Sequence, residues 1–393
     1  MFSKLNYFTT NLVYHLTNGP KINTNRSGTP LKPVVLVAPL DWGLGHATRC
    51  IPVVRALLAQ GASVVLAGET KVKTLLAEEF PHLPFVALKG YRIRYSNNKW
   101  TLPFVLISQI PKILSSIKYE NKRLRKIVEL HHIDAVISDN RYGLFDKTRT
   151  SIFITHQLKI RTGWGHACDR ILQWINYKHI DRFHECWVPD TDSAPGLAGQ
   201  LSHPPTMPRI AVKYIGPLSR FNAMPSAPEQ KHVLILLSGP EPQRTLFENI
   251  MLEQLKNFNG ATVLVRGLPG HEQEEIKMDT VKIFNHLDTD ALRVMMLSAS
   301  YIICRSGYSS VMDIATLGLK SILVPTPGQT EQEYLGASLM KKKFALCIQQ
   351  DHFKLQPAIE LARTFPYETG HFMFGSKLYL AVQDLLSKLS LVQ

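Results

Sequence analysis

Asp41-Trp42-Gly43-Leu44-Gly45-His46 follows the apolar run Pro33-Val34-Val35-Leu36-Val37-Ala38, and a glycine-flanked histidine in that place is equipped to move a proton or grip an anion. Glycines let the backbone close on a bulky anionic group, and a helix start behind them aims free N–H groups at it. Imidazole titrates near neutral pH, which suits it to general-base work. A dinucleotide-binding fingerprint is the rival explanation. It fits poorly: Thr48 holds the place of the third glycine, and no carboxylate is well placed at the end of the next strand, although Glu69 is close.

A second cluster, Ser138-Asp139-Asn140-Arg141-Tyr142-Gly143, ends another buried run. Sheets of this kind place ligand contacts at their strand ends. Asp139 is the candidate to orient His46 and Asn140 a candidate ligand contact; the alternative is an Asx turn with a solvated Arg141. Thr155-His156-Gln157 repeats the pattern of strand then polar turn. The third group is Ile302-Ile303-Cys304-Arg305-Ser306-Gly307, with Asp313 about two helical turns beyond Ser306. There a helix N-terminus offers N–H groups and a positive dipole end to phosphate, and Asp313 is placed to accept hydrogen bonds from ribose hydroxyls.

The elements that must position these residues are α/β units. The run 33–38 reads as a strand buried on both faces, as in parallel sheets. A helix over 47–60 follows, with Ile51, Val54, Leu57 and Leu58 at helical spacing, stopped by Gly61. Strands are expected at 63–67, 135–138, 151–155 and 186–188, with helical stretches at 103–131 and 166–180. A second series has strands at 232–237, 261–265, 281–284, 301–304 and 321–324, and a last helix spans 376–389. At 393 residues the chain exceeds a single core. The expected division is a disordered extension over 1–32, a first Rossmann-like domain over 33–212, a second over 213–372 and a C-terminal helix over 373–393.

Composition is that of a soluble globular protein, and no stretch approaches the ~20 apolar residues that span a bilayer. The formal charge of +14 favours phosphorylated substrates or anionic lipid. Nucleic acid is not expected, since no zinc-finger, RNP or basic-zipper pattern is present. Five scattered cysteines without a Cys-x-x-Cys fit buried thiols in a reducing compartment. Trp100-Thr101-Leu102-Pro103-Phe104-Val105-Leu106-Ile107, followed by Lys112, Lys118, Lys122, Arg123, Arg125 and Lys126, suits an anionic membrane surface; the alternative is a core helix with a solvated face.

Cys304-Arg305-Ser306-Gly307, Asp313 and Gln332-Glu333 together resemble the C-terminal half of glycosyltransferase family 28, the group that contains the bacterial N-acetylglucosaminyltransferase forming lipid II. That family carries the same strand end, an acidic helix residue that holds ribose, usually glutamate, and a Gln-Gln pair near the donor sugar. Here Asp313 takes the acidic position and Glu333 replaces the second amide, which leaves the donor sugar open.

The resemblance implies a GT-B fold, two Rossmann-like domains with parallel sheets facing a central cleft, and a C-terminal helix returning to the first domain. It implies an inverting, metal-independent hexosyltransferase that takes a UDP-sugar, with N-acetylglucosamine expected, to a lipid-linked or cell-envelope glycan. The Gly43–Gly45 loop and His46 then face acceptor and donor phosphates, with His46 either the base or a phosphate ligand. Asn140, His156 and Gln157 fall on the acceptor side. The implied donor contacts are Arg220, Ser238, Gly239, Leu287 (near uracil), Arg305, Ser306, Gly307, Asp313, Gln332 and Glu333, Arg305 either facing phosphate or bracing the domain. No cofactor or metal is expected, on the reading that no Asp-x-Asp follows a strand; arginine, hydroxyls and helix dipoles stabilise the departing UDP. The implied location is cytoplasmic, peripheral on the inner membrane face. Two rivals remain: a nucleotide-sugar epimerase on the same fold, whose extra carboxylates would be Glu241 and Glu333, and a non-catalytic nucleotide-sugar or lipid sensor.

Overall fold

The computed structural model describes residues 32–41, 43–92, 108–222, 231–270, 276–278, 280–369 and 376–391. Residues 1–31 of the expected extension over 1–32, Trp42 and the apolar run Trp100–Ile107, for which a membrane role is expected, lie outside the described residues.

The first sheet contains β1 (Val34–Pro39), β2 (Ser63–Gly68), β3 (Phe85–Ala87), β4 (Ala135–Asp139), β5 (Thr150–Ile154), β6 (Glu185–Val188) and β7 (Ala211–Tyr214). Their order is β3-β2-β1-β4-β5-β6-β7, with every pairing parallel. Val35 to Ala38 are fully inaccessible, as expected of a strand covered on both faces. The helices of this half are α1 (Leu44–Ala59), α2 (Thr70–Glu79), α3 (Ile110–His131) and α4 (His166–Ile180). Helix α1 begins three residues before the expected start, because Gly43 at φ +91° turns the chain straight from the strand into the helix. It buries Ala47, Cys50, Ile51, Val54 and Leu57 against the sheet.

The second sheet contains β8 (His232–Leu236), β9 (Thr262–Val265), β10 (Ile276–Met278), β11 (Val281–Phe284), β12 (Ala299–Cys304), β13 (Ser321–Leu323) and β14 (Leu346–Cys347). Their order is β10-β11-β9-β8-β12-β13-β14. Only β10, at the edge, is antiparallel to its neighbour. Its helices are α5 (Gln243–Leu255), α6 (Thr289–Leu297), α7 (Tyr308–Leu317), α8 (Thr330–Lys341) and α9 (Leu355–Thr364). Without the edge strand, both sheets have the doubly wound order whose direction of winding reverses beside the first strand. The reversal lies between β1 and β4 in one and between β8 and β12 in the other. Ligands occupy the crevice outside the carboxyl ends at that reversal. The fold is GT-B.

Helix α10 (Ser376–Ser390) packs on α1 of the first domain. It buries Leu378, Val382, Leu385 and Leu389, and Gln60 Nε2 donates to the Tyr379 carbonyl at 2.9 Å. Ion pairs of Lys388 with Glu185 (2.6 Å) and of Lys377 with Asp192 (2.7 Å) flank the contact.

Candidate active site

The carboxyl ends of β1, β4 and β5 bring His46, Asp139 and His156 together. His46 lies in the first turn of α1, and its Nδ1 is 3.0 Å from Oδ2 of Asp139, the last residue of β4. Arg49, one turn further along α1, donates from Nε to Asp139 Oδ2 at 2.9 Å and from a second nitrogen to Oδ1. The same guanidinium lies 3.2 Å from His156 Nδ1 and 2.8 Å from His46 Nδ1. His156 in turn reaches Glu331 Oε1 of α8 in the other domain at 2.7 Å. Asp139 has no accessible surface, whereas the His46 side chain keeps 15%.

The electrostatics follow from this packing. Burial by itself pushes the Asp139 carboxyl up, but Arg49 and His46 outweigh it and hold the group down at about 2, so it is a carboxylate. Burial and then the Arg49 charge push His46 below its ordinary value against the pull of Asp139. His46 is therefore a neutral imidazole at pH 7. For Glu331, burial opposes ionisation, but His156 and Arg49 hold the carboxyl below its ordinary range.

A second buried pair supports the turn after Asp139. Arg141 and Glu120, both with no accessible surface, meet at 2.8 Å. Arg141 also donates to the carbonyls of Pro39 and Lys89, and Glu120 accepts from Tyr91 Oη and the Gly143 N–H. Arg141 is thus a brace between β1, α3 and the turn, not a solvated residue. Asn140 bends the turn at φ +55°, a left-handed conformation that asparagine tolerates. Gln157 follows an ST-type turn in which its N–H donates to Thr155 Oγ1.

Gly45 has a role different from the one expected. Its carbonyl accepts from Ser309 Oγ of α7 at 2.8 Å, and a Cβ on Gly45 would lie 2.8 Å from that oxygen. The missing side chain admits the second domain to the first. Tyr308, the first residue of α7, stacks on the His156 ring at 4.3 Å and donates to the Pro189 carbonyl.

On the donor side, Asp313 sits in α7 with Oδ1 accepting from Ser219 Oγ at 2.6 Å and Oδ2 3.9 Å from Arg220 Nε. Burial raises the Asp313 carboxyl and Arg220 opposes it; burial lowers Arg220 and Asp313 opposes that. Gly307 caps α7, and Ser238 and Gly239 lie where β8 turns toward α5, Gly239 at φ +105°. Leu287 is buried after β11. Its neighbour His286 meets Glu78 of the first domain at 3.3 Å.

Several expected donor contacts are engaged elsewhere. Arg305 is 1% exposed; its nitrogens donate to the carbonyls of Val324, Pro325 and Gln243, and its guanidinium lies over Phe247. Burial lowers it to about 9. Of its two expected roles, the brace is the one present. Ser306 donates to the Gln332 carbonyl. Gln332 accepts from the Thr326 N–H and Glu333 from the Gly328 N–H, so both side chains hold the loop before α8. Glu241, the other carboxylate of the epimerase reading, is held by Arg244 and Thr245.

Arg49 and Glu331 carried no role in the sequence reading. Arg49 was discoverable as the i+3 neighbour of His46 on one helix face. Glu331 adjoins Gln332-Glu333 but points the opposite way. Two Asp-x-Asp triplets do follow strands, against the expectation of none. Asp190 accepts from the N–H groups of Thr191, Leu197 and Ala198 and from Ser202 Oγ, and Asp192 pairs with Lys377. Asp288 caps α6, and Asp290 pairs with Arg293.

Residues 249–368 match the family model for the glycosyltransferase family 28 C-terminal domain. No curated protein matches the chain by sequence. Among solved structures, UGT89C1 of Arabidopsis thaliana complexed with UDP-L-rhamnose superposes with a TM-score of 0.58 at 13% identity, over 92% of this chain and 99% of that one. The spinosyn rhamnosyltransferase SpnG gives 0.57 at 13% over 91% and 96%, and the glycotransferase of kitacinnamycin 0.57 at 13% over 92% and 96%. At such identity the likeness is one of fold. The molecule is of the GT-B glycosyltransferase class, and the resemblance of its second half to family 28 holds.

Proposed function

We propose that the chain is an inverting glycosyltransferase that moves a hexosyl group from a UDP-sugar to a lipid-linked or envelope glycan without a metal ion. The observation that carries this reading is His46, held by Asp139 at the carboxyl end of β4 and next to Gly45, whose carbonyl meets Ser309 at the N-terminus of α7. His46 takes the proton of the acceptor hydroxyl as that oxygen attacks the anomeric carbon, and Asp139 stabilises the imidazolium. The C–O bond to the diphosphate breaks on the opposite face, and the electron pair leaves with UDP. The start of α7, the glycine turn after β8 and Arg220 are the groups available to the diphosphate, with Asp313 for the ribose. N-acetylglucosamine as the donor sugar rests on the family resemblance alone.

The lipid side of the proposal rests on α4. Ile171, Trp174 and Ile175 form an outward stripe at helical spacing, with Trp164 exposed just before the helix. Lys178 lies over the Trp174 ring at 3.5 Å. On α3, Ile110 and Leu114 are exposed among lysines and arginines, and the chain carries +14. Apolar side chains set among cations suit an anionic bilayer surface. Among the described residues no helix is long and apolar enough to cross a membrane.

The test is UDP release from a panel of UDP-sugars, with and without lipid-linked glycan, in wild type and His46→Ala. Acceptor-dependent release that collapses in the variant, while UDP affinity survives, is expected. Absence of UDP binding and of release from every UDP-sugar overturns the reading.

A further inference from the structure

Five side chains run unbroken across the cleft: Glu331 on α8, His156 after β5, Arg49 on α1, Asp139 at the end of β4, and His46. The contacts are 2.7 Å (Glu331 to His156), 3.2 Å (His156 to Arg49), 2.9 Å (Arg49 to Asp139) and 3.0 Å (Asp139 to His46). Arg49 is 2% exposed and His156 5%. The base scheme needs only the last two members of this chain.

The direction of the hydrogen bonds is fixed at Arg49, because a guanidinium only donates. His156 Nδ1 therefore accepts from Arg49, and its proton is on Nε2, where it goes to Glu331. His46 is contested. Its Nδ1 is 3.0 Å from the Asp139 carboxylate and 2.8 Å from an Arg49 nitrogen, and a neutral imidazole nitrogen serves one of these. If Nδ1–H donates to Asp139, Nε2 keeps its lone pair and can take a proton. If Nδ1 accepts from Arg49, Nε2 carries the hydrogen and the ring is no base. Where Arg49 is held decides between the two.

We infer that Arg49, His156 and Glu331 are positioning residues: Glu331, arriving with the donor domain, fixes His156 and through it Arg49, and so selects the His46 tautomer that can accept a proton. This rests on His46 being the base. With Glu331 on His156, Arg49 Nε and one terminal nitrogen donate to Asp139 and the other terminal nitrogen to His156, so the nitrogen that lies 2.8 Å from His46 Nδ1 already has Asp139 Oδ1 as its acceptor and His46 Nδ1–H is left to Asp139 Oδ2. Without Glu331 the guanidinium is free to occupy His46 Nδ1. The arrangement makes the base competent only when donor and acceptor domains meet, which protects the donor from water in the open state. The groups facing His46 are Asp139 from β4, Arg49 from its own helix and His156 from β5, with Cys50 beside Asp139 and Glu331 behind His156.

The experiment compares wild type with Glu331→Gln, Arg49→Lys and Arg49→Met. Glu331→Gln keeps the shape and touches a side chain that is 30% exposed, so it tests the relay without disturbing the core. Ring 15N shifts of His46 and His156 report the tautomers in each protein with UDP bound, and UDP release from UDP-N-acetylglucosamine and UDP-glucose gives kcat and KM separately. The expected result for Glu331→Gln is a kcat lowered about tenfold or more with KM little changed, and His46 shifted toward the Nε2–H form. Arg49→Lys is expected to retain more activity than Arg49→Met. Wild-type kcat and wild-type ring shifts in Glu331→Gln overturn the inference. If wild type itself releases no UDP, the proposed activity fails, and the 15N shifts alone decide whether Glu331 governs the His46 tautomer.

Discussion

Replacing Asp139 by asparagine tests the acceptor-side electrostatics most directly. The amide keeps the volume and one oxygen but removes the charge on which Arg49 and His46 converge. Arg49 is then a cation with almost no access to water and, among the described residues, no carboxylate in direct contact, Glu331 acting on it only from behind His156. Removing one member of such a buried pair costs about 3–5 kcal/mol. The acid side of the stability curve gives an independent measure. Arg49 and His46 overcome the effect of burial and hold the Asp139 carboxyl at about 2, against an ordinary 3.8. At roughly 1.4 kcal/mol per pH unit that gap is worth about 2 kcal/mol. Because the folded-state value is depressed, this stabilisation is complete above the ordinary carboxyl value and is lost as pH falls through about 4 toward about 2. Asp139→Asn should lack that part of the slope. Its His46 should also titrate lower than in wild type, since Asp139 is the group that raises it, and kcat should fall roughly a hundredfold or more as the base loses its orientation. Urea unfolding between pH 2 and 7 reads the first two effects and UDP release the third. The double variant Arg49→Met/Asp139→Asn should recover part of the lost stability, because a neutral pair leaves no buried charge. An Asp139→Asn protein within about 1 kcal/mol of wild type at pH 7, with an unchanged acid slope, would refute the argument.

Gly45→Ala places a Cβ 2.8 Å from Ser309 Oγ, so it should hinder the approach of α7 and lower kcat with little change in Tm. Ser309→Gly in the same chain should restore turnover, and failure of that rescue in steady-state assays removes the steric account. Asp313→Asn should weaken UDP by about 10–150-fold, the equivalent of the 1.5–3 kcal/mol of a charge-assisted hydrogen bond; titration calorimetry checks this, and an unchanged Kd takes Asp313 out of the site. Trp174→Glu, at a position 57% exposed, should leave the fold intact but reduce co-sedimentation with anionic phospholipid vesicles several-fold. Equal partition of variant and wild type would exclude α4 as the docking face.

The parts of this structure that could be read from the sequence share a physical origin: their signals are local. The run Val34–Ala38 is apolar throughout because both faces of β1 are covered, and glycine at position 43 marks the one backbone conformation that leads directly into α1. The strands β3, β7 and β14 lie at sheet edges and are only partly buried, so they lack the apolar run that marks the equally short β6 and β13. The C-terminal helix was legible as a helix from its pattern, but its return to the first domain came only from the resemblance, and its seat on α1 only from the structure.

Side-chain direction within a strand-end loop was the part that could not be read. Topology places Arg305, Ser306, Gln332 and Glu333 at the carboxyl ends of the second sheet, where ligand contacts belong. Yet Arg305 turns into the core and the other three are tied to backbone, because the turns there have buried donors and acceptors to satisfy. The same demand explains Arg141, whose guanidinium closes off the carbonyls of Pro39 and Lys89. Glu331, one position before Gln332, escapes that duty because the first turn of α8 points it at the opposite domain. Its significance depends on His156, 175 positions away in sequence, and on Arg49 a further 107 positions back. No window of sequence contains that relation. It exists only once two sheets of the same winding order face each other, which is why the residues that join the domains are the ones a linear reading leaves without a role.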